Sequence, residues 1–266
     1  MNALQIVKPM ALTDAMLIAT NVTEADYAAY AAGTTYGDGD RVIVVATHKV
    51  YESLQPANLG HDPTLAASST WWIEVSPTNR WKAFDGSNSS QTARSTSITY
   101  QIRPGVAITS VALLNLTGAT SVRIRLVDAT YGTVSDKTTD LSALPATPSW
   151  WAWTFGARVA PSLSVATDLP SIPTADLYID LAGGTDLAVG VILFGQMRAI
   201  GLGVQHGARL GIQDYSRKET NDYGDTVLVP RAFAKRAHFA TPVAKLDADR
   251  PAPPPARLRA TPCPWT

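Results

Sequence analysis

Three stretches of strict alternation constrain this chain more than any other feature. Ile98, Tyr100 and Ile102 alternate with Ser97, Thr99, Gln101 and Arg103; Val122, Ile124 and Leu126 alternate with Arg123 and Arg125; Leu177, Ile179 and Leu181 alternate with Tyr178 and Asp180. A period of two with one apolar side is the pattern of an antiparallel strand half-buried on a core. The runs 106–116 and 187–194 are more uniformly apolar and suit central strands. Turn signals punctuate the segment at Arg103-Pro104-Gly105, Thr117-Gly118, Tyr131-Gly132, Gly183-Gly184 and Asp222-Tyr223-Gly224. No long amphipathic helix separates the runs, which argues against a parallel α/β sheet. The expectation is an all-β chain in which residues 79–246 form an antiparallel β-sandwich of jelly-roll type.

The flanks read differently. Residues 1–33 suggest an extended arm and a short helix: Thr23-Glu24-Ala25-Asp26 has capping-box spacing, the run from Tyr27 to Ala32 follows, and Gly33 stops it. Residues 34–78 suggest a three-stranded meander with strands at 41–45, 50–53 and 71–75. So few strands give a thin core that aromatic side chains must supplement. Residues 247–266 form a proline-rich extension ending in the apolar Pro262-Cys263-Pro264-Trp265, suited to docking on a neighbour.

Composition removes several function classes. Lys+Arg and Asp+Glu balance at 22 each, so no global basic field favours nucleic acid. Cys263 is the single cysteine, which rules out a disulfide within the chain and a cysteine-based zinc site. His48, His61, His206 and His238 lack ligand spacing, so no metal and no cofactor is expected. The stretch Leu187 to Gln196 covers about half of the roughly 20 residues a membrane span needs. Lys8 and Asp14 interrupt the N-terminal apolar residues, so no signal peptide is expected. Neither G-x-S-x-G nor HExxH occurs, and in Gly201-Leu202-Gly203-Val204-Gln205-His206-Gly207 the third glycine falls one residue late for a dinucleotide loop. Asp176 and Asp180 form a carboxylate pair of the kind any folded chain offers. The expectation is a protein without enzymatic activity.

Tyr30, Ala32-Gly33, Tyr36, Gly39-Asp40, Val42, Tyr51, Asn58, Gly60, Pro63 and Trp72 form a pattern that resembles the small chitin-binding-type carbohydrate module of bacterial chitinases, which recurs in phage proteins. Residues 1–245, including 79–86 and Ser90-Gln91-Thr92, resemble a family of tailed-bacteriophage virion proteins carrying such a module. The resemblance implies a structural component of a tail tip, baseplate or fibre, located in the virion and assembled in the bacterial cytoplasm. Its implied partners are other tail proteins and further copies of itself, with a host cell-surface glycan as an additional candidate. A glycan-specific receptor-binding protein and a tail-associated depolymerase are the alternatives. The chitinase modules carry adjacent exposed tryptophans after the second strand, where this chain has Leu54-Gln55. Phe84-Asp85-Gly86 resembles a loop of galactose-binding-like sandwiches, but a tight turn is the preferred reading.

Sugar recognition needs flat aromatic faces and polar groups that orient hydroxyls. The candidates are Tyr36, Tyr51, Trp71 and Trp72, with Asn58 and Asp62 as polar partners. Tyr51 and Trp72 are better read as the small core itself. Adjacent strand residues face opposite ways, which leaves Trp71 as the better contact. Trp150-Trp151-Ala152-Trp153, read as a strand, places Trp151 and Trp153 on one side and Trp150 on the other. One set would form an exposed interface patch, with Trp265 as a further contact candidate.

Overall fold

The structure is a computed structural model, and it describes residues 4–87, 89–142, 149–155, 161–220, 223–231 and 233–243. Contacts divide the chain into a body, Val7–Met197, and a second unit of Met1–Ile6 with Arg198–Thr266.

The chain is all-β, as the alternation predicts. It opens with β1 (Leu4–Pro9) and β2 (Leu17–Thr20), followed by β3 (Thr35–Tyr36), β4 (Arg41–Val44), β5 (Lys49–Ser53), β6 (Asn58–Leu59) and β7 (Trp72–Pro77). β4, β5 and β7 form the expected three-stranded antiparallel sheet in that order, and β3 pairs with β6 beside it. Next come β8 (Thr92–Ala93), β9 (Ser97–Ile102), β10 (Ser110–Asp128), β11 (Gly132–Asp140), β12 (Leu163–Ala166) and β13 (Asp176–Ile200). They build one curled sheet of order β11-β10-β13-β9-β2, with β1 and β8 also on β13 and β12 on β10.

The curl arises because the two long strands change partners along their length. β10 pairs with β12 at Val111–Leu114 and with β11 at Ser121–Asp128. β13 pairs with β9 at Leu177–Ala182 and with β8 at Ala188–Val189. Between these halves the register between β10 and β13 slips twice, at Thr117/Ala119 and Ala119/Ser121. Bulges bend strands and sharpen twist, which folds the sheet on itself. The inward residues of both halves, from Ile98, Tyr100 and Ile102 to Val111, Leu113 and Phe194, then meet in one core. Thr117-Gly118 and Gly183-Gly184 are therefore corners inside continuous strands and not the turns between strands that the sequence suggests. Gly118 has φ 63°, and a Cβ at Gly183 would lie 2.2 Å from the Gly118 carbonyl oxygen. That close approach is open only to glycine.

Three further expectations are corrected. Residues 23–32 are not a helix, and residues 4–20 are not a free arm. Ile43 N–H donates to Ala28 O at 3.0 Å and Tyr30 N–H donates to Ile43 O at 3.0 Å, forming a parallel bridge to β4 that takes up the backbone groups a helix would use. A run this short has marginal helical stability, and tertiary pairing outweighs it. Trp150-Trp151-Ala152-Trp153 is not a strand. It opens α1 (Trp150–Phe155), with Thr154 Oγ1 donating to Trp150 O at 2.9 Å. Four residues are too few for periodicity to separate the two forms.

In the second unit, β14 (Arg209–Asp214) pairs with β17 (Phe233–His238), and β15 (Arg217–Thr220) with β16 (Thr226–Val229) between them. The extension 247–266 and Trp265 lie outside the described residues.

Candidate functional site

The module's aromatic residues close a core of their own. Tyr36, Val42, Tyr51 and Trp72 are buried, flanked by Tyr30, Val44 and Trp71. Tyr36 and Trp72 meet edge-on at 5.2 Å, and Tyr30 stacks on Tyr36 at 5.9 Å. The polar ends of Tyr36 and Trp72 are satisfied inside: Ala31 N–H donates to Tyr36 Oη at 2.8 Å, and Trp72 Nε1 donates to His61 O at 2.7 Å. Asn58, also buried, donates through Nδ2 to Ser53 Oγ at 3.0 Å. Of the six carbohydrate candidates, Tyr36, Tyr51, Trp72 and Asn58 thus hold the module together and present no open face. Trp71 is half-buried, with His61 stacked on it at 4.0 Å and 11°. Asp62 Oδ1 accepts from Thr64 N at 2.8 Å and from Thr64 Oγ1 at 2.7 Å, and these bonds hold its carboxyl below the ordinary range. Leu54 is exposed, and Gln55 donates to Thr70 O at 2.8 Å.

A second cluster escaped the sequence reading. Glu24, with a side chain only 4% exposed, lies 2.7 Å through Oε1 from His48 Nδ1 and accepts from Thr78 Oγ1 at 2.7 Å. Its Oε2 accepts from Arg80 Nη1 at 3.2 Å. His48 Nε2 comes within 3.0 Å of Asp14 Oδ1, an ion-pair distance without hydrogen-bond alignment, and Trp81 stacks on the ring at 4.3 Å. This cluster links the N-terminal segment, the β4–β5 hairpin and the start of the sandwich. Its only trace in sequence, Thr23-Glu24-Ala25-Asp26, imitates a capping box.

On the outer side of the sheet, each member of the Asp176/Asp180 pair is committed to an arginine. Asp176 accepts from Arg103 Nε at 2.7 Å, from Arg103 Nη2 at 2.8 Å and from Gln101 Nε2 at 3.1 Å. Asp180 accepts from Arg125 Nη2 at 2.7 Å, and Arg125 lies over the Tyr178 ring at 4.9 Å. The Arg103 guanidinium, against the opposing pull of burial, holds the Asp176 carboxyl below the usual aspartate range. A depressed folded pKa contributes stability above the ordinary value of about 3.9, and that stability is lost as pH falls through the lower folded value. Asp176→Asn is expected to cost about 1 kcal/mol at pH 7. In thermal melts its deficit should shrink progressively below about pH 4; a deficit independent of pH would contradict this.

The loop carboxylates act as local caps. Asp40 Oδ2 accepts from Gly37 N–H at 2.6 Å. Asp85 accepts from Ser87 N at 2.7 Å and Ser90 Oγ at 2.6 Å, as a tight turn requires. Among the described residues, no group of three or more His, Cys, Asp or Glu side chains is placed to hold a metal, and no helix is long and apolar enough to cross a membrane.

Among the described residues, the largest solvent-facing aromatic group is on α1. Trp150, Trp151 and Phe155 are 71%, 63% and 62% exposed, with Trp151 and Phe155 rings 4.3 Å apart and Trp150 and Trp151 rings 6.1 Å apart. The Trp153 side chain lies outside the described residues. The rings touch one another, so the helix displays a single aromatic patch.

No protein-family model matches the chain, and no curated protein matches it in sequence. Among solved structures, chitosan-binding module 1 of a chitosanase/glucanase from Paenibacillus sp. IK-5 is similar over 43% of this chain and 83% of its own, at 14% identity and a TM-score of 0.28. A selenomethionine-labelled mutant of that module covers 43% and 82%, at 15% identity and a TM-score of 0.26. A chain from reduced XRCC1 bound to the DNA polymerase β catalytic domain covers 72% and 98%, at 10% identity and a TM-score of 0.26.

Proposed function

We propose that this chain is a non-enzymatic structural protein of a tailed-phage tail, at the tip, baseplate or fibre, that works by contact with neighbouring tail proteins. The observation that carries the contact role is the α1 patch, in which three large aromatic side chains face solvent together. Exposed aromatic surface of this kind costs solubility unless a partner covers it, and Trp is enriched among residues that dominate protein interfaces. The placement in a phage tail rests on the residue pattern from Tyr30 to Trp72 and its continuation through residue 245. The commitment of Asp176 and Asp180 to arginines favours a structural over a hydrolytic use of that face.

Trp150→Ala with Trp151→Ala is expected to leave the melting temperature unchanged, because neither ring is in the core. Affinity for the neighbouring tail protein should fall at least about 30-fold, the loss of one strong interface anchor. Wild-type incorporation of this variant into particles would refute the contact role of the patch.

A second reading, glycan attachment, draws on the same flat rings and on the module pattern. It predicts binding of the purified chain to host polysaccharide on a glycan array, lost in Trp150→Ala or in Trp71→Ala. An array without signal sets it aside and leaves the structural reading in place.

A further inference from the structure

The described part of the segment after Met197 has no buried apolar core of its own. Among the described residues of 198–243 no hydrophobic side chain is buried. Leu210, Ile212, Leu228 and Tyr223 are 81%, 67%, 69% and 92% exposed. The secondary structure is nevertheless regular: β14 and β17 pair over six residues, and β15 and β16 continue the ribbon over four. An isolated two-stranded ribbon is marginal in water and gains lasting order from a surface that covers one side.

The register shows which side that is. Leu210 lies opposite Ala237, on the same side as Ile212, which lies opposite Lys235, and Asp214, which lies opposite Phe233. Arg209 lies opposite His238, and Arg236 opposite Gly211, on the other side. One side of the β14–β17 ladder therefore combines Leu210, Ile212 and Ala237 with the charged positions Lys235 and Asp214, and the other carries Arg209, Arg236 and His238. Charge is also unequally divided along the chain. Residues 198–243 contain seven Lys and Arg against four Asp and Glu, a formal +3, whereas Val7–Met197 contains eleven against sixteen, a formal −5.

We propose that the β14–β17 ribbon is an assembly arm that packs the side bearing Leu210, Ile212 and Lys235 on the acidic body, Val7–Met197, of a second copy of this chain. Each copy carries one basic arm and one acidic body, so reciprocal exchange leaves neither unmatched and closes the assembly with symmetry. Opposite charge brings arm and body together and fixes orientation, while Leu210 and Ile212 supply the desolvated contact. The inference is independent of the phage reading, since purified chain should self-associate whatever larger structure it joins.

Sedimentation of the full chain at low salt tests this. The expected mass is at least twice the 28.3 kDa of one chain, falling as salt is raised. Leu210→Ser with Ile212→Ser should sediment as a monomer with an unchanged far-UV spectrum. Arg209→Glu with Arg236→Glu should weaken self-association by about tenfold or more and flatten its salt dependence. A wild-type chain that stays monomeric at about 100 µM overturns the proposal. It does so whether proteolysis finds the ribbon protected, as when folded on its own body, or open, as when kept for a different partner. Double variants that keep the wild-type mass overturn it as well.

Discussion

Trp72→Ala is expected to destabilise the 34–78 module by about 3–5 kcal/mol, the cost of truncating a buried tryptophan. Trp72 is the central ring of a core with four buried members, in edge contact with both Tyr30 and Tyr36, and its indole N–H ties the loop at His61. Removing it takes away both the ring packing and the loop anchor, and so small a core has little else to close the gap. Hydrogen exchange should show the amides of β4, β5 and β7 losing protection while those of β9, β10 and β13, which belong to the separate large core, keep theirs. Uniform loss across both would show that the module has no cooperative stability of its own.

Glu24→Ala should cost about 2–3 kcal/mol, because it leaves the buried Thr78 hydroxyl and the half-buried Arg80 guanidinium without their acceptor. The carboxylate is nearly enclosed and serves His48, Thr78 and Arg80 at once. Glu24→Gln keeps the shape and most hydrogen bonds but removes the charge, so it should recover part of the loss. Arg80→Ala, which takes away one partner of Glu24, should be less than additive with Glu24→Ala in a double-mutant cycle, since the two share one network. Chemical denaturation measures all four. A Glu24→Ala cost below about 1 kcal/mol would mean that the cluster holds nothing together.

These two sites mark where sequence reasoning succeeds and fails. Trp72 is legible because a three-stranded sheet needs an aromatic filling, and Tyr51 with Trp72 supplies it; Tyr36, read as a sugar contact, proves to belong to the same core. The alternation at 97–103, 122–126 and 177–181 is legible for a similar reason: period two and one apolar side follow directly from the pleat. Glu24 is misread because its partners lie 24, 54 and 56 residues away, and local spacing offers a plausible substitute. Gly118 and Gly183 correctly signal unusual backbone, but local sequence does not distinguish a reversal from a bulge inside a strand. β1 and β2 are short, and they acquire strand character only by pairing with β13 and β9. The Trp150–Phe155 segment lacks a cross-strand partner to enforce extension, and it coils.

The proposed role makes this chain a building block of a phage tail. Purified tailed-phage particles, labelled with gold-conjugated antibody against the Val7–Met197 body and imaged, test it most directly. Label is expected at the end of the tail away from the head, with the chain present in the protein content of the washed particles. Particles that infect normally while containing none of this chain would contradict it.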